Sequence, residues 1–147
     1  MKKLFGISFI IILFDRVLKI LAQKFLGNTK IYIINNFFYL IFTKNNGAAF
    51  SMMSGRQFTL ILIALLALIY IIYYIKKYNV KNIGYSFLVG GIIGNLLDRM
   101  IYGYVIDFIG IDIFKYHFPI FNIADIFIVV GAFFILLVGE KNEVSSW

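Results

Sequence analysis

Five aspartates carry most of the acidic chemistry in this chain, and they are not equivalent. Asp15 has Lys19 four residues on, a spacing that allows an ion pair along one helix face. Asp98 is followed at once by Arg99, a cation that would keep it ionised as scaffold or substrate clamp. Asp112 falls between two isoleucines and is expected to face water. Asp107 and Asp125 have no cation nearby in sequence. Asp125 lies three residues after Asn122 at the head of an apolar run, where a helix dipole favours an anion by ~0.3–1 kcal/mol. Helix capping is its bland explanation, although Asn122 can supply a cap as well. Two unpartnered carboxylates meeting in a half-dry place cannot both ionise easily, so such a pair holds one shared proton. The ionised member takes a proton from water while the other donates to a carbonyl oxygen. That is aspartyl peptide hydrolysis, with no metal and no covalent intermediate. Glu140 and Glu143 follow the last apolar run in a polar tail, where solvation explains them.

Rival peptidase chemistries lack their residues. There is no cysteine, which removes disulfides, thiolate metal sites and cysteine nucleophiles together. His117 is the only histidine, so a histidine-rich zinc site is out of reach and a serine triad would need this one ring. Beside Pro119 it reads as an interfacial loop residue. No metal and no cofactor are expected.

The elements that must position these acids are written in the hydropathy. Of 147 residues, 62% are apolar and 14% charged, against roughly 45–50% and 25% in soluble domains. A soluble core of this size could not hide that surplus, so lipid is the solvent. Four apolar runs, about 4–22, 58–75, 83–97 and 121–138, are expected to be transmembrane helices, the third being short. The first opens on Lys2 and Lys3 as a secretory signal does. Asp15, Arg16 and Lys19 interrupt it and no small-x-small cleavage site follows, so it is expected to remain as a span. The short inner segments hold Lys2, Lys3, Lys76, Lys77, Lys81 and Lys141; the longer outer ones hold Lys24, Lys30, Lys44, Arg56, Arg99 and Lys115. Cationic density is therefore higher inside, which makes both termini cytoplasmic and sets all five aspartates towards the outer face. Ionisable groups in spans are costly and mark a site. A net charge of +7 would suggest nucleic acid in a soluble protein, but these cations flank apolar spans and suit phospholipid head groups.

Outside the spans, Ile31–Phe42 is rich in β-branched and aromatic residues, with Asn35–Asn36 as the turn of a short interfacial hairpin. Arg99–Ile120 is apolar but broken by Gly103, Gly110 and Pro119, and is expected to give short strand or helix pieces on the membrane surface. Gly90-x-x-x-Gly94 lets helices approach closely. The fold expected is a membrane all-α one: four transmembrane helices, a small extracytoplasmic β-hairpin or sheet and a short interfacial segment. It forms a single integral membrane domain over 1–147, with extracytoplasmic segments at about 23–57 and 99–120.

Two other classes stay open on the residues alone. A small proton-coupled carrier would relay protons through the outer-face aspartates, although no repeated halves or broken midplane helices are visible. A structural subunit would use Gly90 and Gly94 as a partner face and leave Asp107 and Asp125 without a reason. Five blocks then occur in order: DRVLK (Asp15–Lys19), NNGAAF (Asn45–Phe50), GNLLDR (Gly94–Arg99), VIDF (Val105–Phe108) and FNIAD (Phe121–Asp125). Together they resemble the bacterial lipoprotein signal peptidase, signal peptidase II. The resemblance implies that Asp107 and Asp125 are a catalytic dyad. It implies that Asn45, Asn95, Arg99 and Asn122, with Gly47 and Phe50, line the site and hold substrate backbone or the carboxylates. Asp15, Lys19 and Asp98 would brace it. The implied substrate is a prolipoprotein carrying a diacylglyceryl-cysteine, cut just before that cysteine at the extracytoplasmic face of the bacterial cytoplasmic membrane. The expected enzyme is a monomer with membrane lipid as its neighbour and no nucleic-acid partner. One departure stands out: the family usually has glutamine after the first aspartate and serine or threonine before the lysine. Here those places hold Arg16 and Leu18.

Overall fold

The computed structural model describes residues 1–47, 55–114 and 116–138. The element order is α1 (Lys2–Phe25), β1 (Ile31–Ile34), β2 (Phe38–Asn45), α2 (Gln57–Lys77), α3 (Gly84–Tyr102), β3 (Val105–Ile113), β4 (Tyr116–His117) and α4 (Ile123–Val138). Each expected apolar run forms a helix. The third is longer than its hydropathy indicated: α3 continues to Tyr102, so Asp98 and Arg99 lie inside the helix instead of ending it. It stops where Gly103 turns left-handed (φ 75°) and its N–H closes on the Arg99 carbonyl, a conformation that costs glycine little.

Polarity is inverted relative to a soluble bundle. Phe9, Ile10 and Leu13 of α1, Phe58, Leu66 and Ile69 of α2, and Val129, Phe133 and Leu136 of α4 point outward and exposed. Ser8, Asp15, Lys19, Asn95, Asp98 and Asn122 are buried between the helices. By length and composition α2 is able to cross a bilayer, while α4 is apolar but shorter.

Helix α3 lies at the centre, against α1, α2 and α4. Glycine makes this possible. A Cβ on Gly90 would stand 2.9 Å from the Ile11 side chain, and one on Gly94 2.8 Å from Asp15 Oδ2. The Gly90-x-x-x-Gly94 spacing thus faces α1, as small-residue spacings at helix crossings do. On another side of α3, a Cβ on Gly91 would collide with the Ala124 carbonyl oxygen of α4.

The strands form one antiparallel sheet in the order β1-β2-β3-β4. The expected hairpin is its β1–β2 half, turning through Asn36 at φ 57°. The 99–120 segment supplies strand pieces, as expected, but β3 is nine residues long, buried along most of its length and hydrogen-bonded on both sides. Gly110 accommodates the Tyr39 ring, which lies where a Cβ would be. His117 belongs to β4, not to a loop.

A Gly91→Ala substitution is expected to cost about 1–3 kcal/mol through overpacking against a backbone that cannot yield. Gly6→Ala, which meets nothing within 4 Å, is the control. Thermal unfolding in a fixed detergent should show a lower Tm for the first only.

Candidate active site

The site is built on the N-terminus of α4, where the first backbone N–H groups have no partners within the helix. Asn122 caps it: its Oδ1 accepts from the Asp125 N–H at 2.9 Å, and the Asn122 N–H donates to Asp125 Oδ2 at 3.2 Å. This reciprocal pair has the geometry of a capping box. The Ala124 N–H donates to Asp15 Oδ1 of α1 at 2.9 Å. Capping therefore does explain Asp125, but only through one of its oxygens. The other, Oδ1, accepts from Asn95 Nδ2 at 2.7 Å.

From there a chain of amides leads to Asp107. Asn122 Nδ2 donates to Asn95 Oδ1 at 3.1 Å and to Asp107 Oδ1 at 2.6 Å. Asp107 Oδ2 accepts from Asn45 Nδ2 at 2.8 Å, and Asn45 Oδ1 takes the Gly47 N–H at 2.9 Å. Asp107 and Asp125, eighteen residues apart in sequence, are thus joined through Asn122 and Asn95. Among the described residues each carboxylate accepts two N–H donors and makes no ion pair. Asp107 is 2% exposed, whereas Asp125 is half-buried. Burial, and next the charge of Asp125, push the Asp107 carboxyl up to about 7, against the pull of the Asn45 and Asn122 amides.

Behind this chain lie buried charges. Lys19 Nζ contacts Asp15 Oδ2 at 2.8 Å, Asp98 Oδ2 at 3.0 Å and Asn95 Oδ1 at 2.9 Å. The Asp15–Lys19 pair follows the expected spacing. Asp98 does not pair with its neighbour Arg99, because adjacent side chains on a helix diverge. Its partners are Lys19, the Ile106 N–H at 3.1 Å and Arg16 Nη1 at 2.9 Å. Arg99 turns instead to the Gly47 carbonyl, at 2.9 Å from Nη2, and its buried Nε has no hydrogen-bond partner among the described residues. Arg16 also donates to Tyr102 Oη at 2.7 Å, with its guanidinium 5.1 Å from that ring. Leu18 packs into the apolar cluster around Ala22 and Ile106. Phe50 lies outside the described residues.

Asp112 is not solvated as its sequence setting suggested. It is buried, with Lys30 Nζ at 2.9 Å, Tyr32 Oη at 3.1 Å and His117 Nδ1 at 2.7 Å. The Lys30 ammonium, then His117, hold its carboxyl down to about 2. It clamps the sheet and takes no part in the Asp107–Asp125 chain. Among the described residues no three histidine, cysteine or acidic side chains are grouped so as to hold a metal ion. Arg16, Tyr102, Lys30 and His117 were not among the expected site residues; only Arg16 left a trace, as a departure from a motif.

Comparison with known proteins supplies the family. The family described as "Signal peptidase (SPase) II" matches residues 7–139. The chain belongs to the signal peptidase II family. A lipoprotein signal peptidase of Clostridium novyi (strain NT) is 45% identical over 139 residues, covering 88% of this chain and 94% of that protein. One from Staphylococcus haemolyticus (strain JCSC1435) is 35% identical over 145 residues, covering 95% and 92%. A solved structure of a bacterial membrane enzyme superimposes with a TM-score of 0.84 at 32% identity, covering all of this chain and 94% of that one. Membership makes the protein a hydrolase, a protease of lipoprotein processing.

The sheet clamp predicts a pH effect. Because Asp112 is held low in the fold, its stabilisation is full above the ordinary carboxyl value of 3.8 and fades as pH falls to about 2. The protection of β3–β4 amides, taken relative to the intrinsic exchange rate at each pH, should fall across that window in the wild type. Asp112→Asn should be less protected at neutral pH and lose little further protection on acidification; identical protection in the two proteins would contradict the clamp.

Proposed function

We propose that the protein is an intramembrane aspartyl endopeptidase that removes the signal peptide from prolipoproteins, cutting before a diacylglyceryl-modified cysteine. Asp107 and Asp125 are its catalytic dyad. The observation carrying this reading is the Asp107–Asn122–Asn95–Asp125 chain, which binds two carboxylates into one polar cluster with no ion pair to either among the described residues.

Their unequal burial supports a division of roles. Asp107, held protonated near neutrality, is the acid, and Asp125, the more open of the two, acts as the base. Asp125 takes a proton from water as the oxygen attacks the scissile carbonyl carbon, while Asp107 donates its proton to the carbonyl oxygen. The resulting gem-diol collapses: Asp125 passes its proton to the leaving nitrogen, the C–N bond breaks, and Asp107 recovers a proton from the diol. Asn45 and Asn122 hold Asp107 in place. Arg99 Nε, buried and without a hydrogen-bond partner among the described residues, donates to a substrate carbonyl on binding in this reading.

The four helices are spans of one domain over residues 1–147, with the sheet and dyad at the extracytoplasmic face and both termini cytoplasmic. Supporting this are the outward apolar faces of α1, α2 and α4 and the basic last turn of α2. A substrate that is itself a lipid-bearing membrane segment then arrives sideways from the bilayer.

The test reconstitutes the protein and supplies a diacylglyceryl-modified prolipoprotein. Asp107→Asn and Asp125→Asn should each lower kcat by about 10²–10⁴-fold, the range for lost general acid–base catalysis, with Tm retained. Near-normal release of signal peptide by either variant would refute the dyad. In the wild type, kcat should decline as pH rises through about 7, since Asp107 then loses the proton it must donate.

A further inference from the structure

Four buried or half-buried charges lie behind the dyad, and they balance: Asp15 and Asp98 against Arg16 and Lys19. Lys19 has three hydrogens to donate. Two go to carboxylates and the third to Asn95 Oδ1. That third contact fixes the Asn95 amide. With Oδ1 facing Lys19 and Asn122 Nδ2, only Nδ2 can face Asp125. A flipped amide would set its oxygen against Asp125 Oδ1 and its NH₂ group against two donors.

Arg16 lets Lys19 keep that third contact. Its Nη1 occupies Asp98 Oδ1 and leaves Oδ2 to Lys19 and the Ile106 N–H; its Nη2 is held by Tyr102. We propose that Arg16 is a positioning residue for the peptidase reaction, acting through Asp98 and Lys19 on the Asn95 amide that faces Asp125. Without Arg16, one ammonium faces two carboxylates, one of them bare on an oxygen inside the protein. Charge-assisted contacts outcompete a neutral amide oxygen, so the Lys19–Asn95 contact is the one that yields. Asn95 then loses its orientation and Asp125 loses a donor. Among the described residues, Arg99 on α3 and Lys19 on α1 are the other charged groups near Asp107 and Asp125, and neither makes an ion pair with them, so they do not replace the lost Asn95 donor.

This inference rests on the dyad reading. The test measures kcat, KM and their pH profiles for Arg16→Met and Arg16→Lys in the reconstituted enzyme. Arg16→Met should lower kcat about tenfold, as for one hydrogen bond to a charged group, with KM little changed. Removing a donor from the ionised pair disfavours ionisation, so the acidic limb of kcat should move to higher pH. Arg16→Lys restores the charge and should return both towards wild type. A folded Arg16→Met enzyme with the wild-type pH profile overturns the proposal, as does a loss of kcat that leaves the limb unmoved. Should Arg16→Met not fold, Arg16→Gln keeps a donor for Asp98 without the charge. It should move the limb in the same direction by less, and a wild-type profile there also overturns the proposal. Inactive Asp107→Asn and Asp125→Asn beside an unshifted Arg16→Met would fail this inference alone, whereas active aspartate variants would fail the dyad itself.

Discussion

A fully buried ammonium organises this molecule. Lys19 is 0% exposed, and its group is tolerable there only because all three of its hydrogens meet oxygen. Removing one partner from such a buried pair typically costs about 3–5 kcal/mol, so the arrangement is held firmly once made. Its partners come from α1 and α3, and through Asp15, Asp98 and Asn95 they reach α4 and β3. The glycines of α3 serve the same end. A side chain at Gly94 would press on Asp15 Oδ2, and one at Gly91 would push α4 away from the cap that Asp15 supplies.

The proposed role of Asp107 sits against stability. Its carboxyl binds a proton more readily in the fold than in the unfolded chain, so folding becomes less favourable as pH rises from 3.8 to about 7. An ordinary core would place an apolar residue there. The two asparagine amides that touch it moderate this cost without abolishing it, since neutral donors stabilise a carboxylate less than a cation would. A cation in contact would settle Asp107 as an anion and remove the proton that the proposed mechanism requires of it. Arg16 and Lys19 pair with Asp15 and Asp98 instead, and Arg99 with the Gly47 carbonyl.

Much of this was legible in the sequence because the signals are local or periodic. Hydropathy alone marked four helices, the i,i+4 rule gave Asp15–Lys19, and the β-branched run at 31–42 gave the first hairpin. The rest needed the tertiary fold. Asp112 finds Lys30, and Arg16 finds Asp98, across 82 residues each, a distance no spacing rule spans. Adjacency misled at Asp98, where Arg99 is next in sequence but points elsewhere. The sequence left β3 undecided between strand and helix, because a strand buried on both faces reads as a continuous apolar run, much as part of a membrane helix does. The proposed dyad is singled out by what its members lack in sequence, a nearby cation. The amides that join them became visible as partners only in three dimensions.

The bond from the Ala124 N–H to Asp15 ties the last helix to the first. During synthesis, a ribosome delivers α1 long before α4, and until α4 inserts, Asp15 has no amide to cap and Asp125 is still absent. A half-made chain therefore holds Lys19 and Asn95 without the carboxylate and backbone amide of α4 that complete the network. On the proposed mechanism, cleavage waits for that helix.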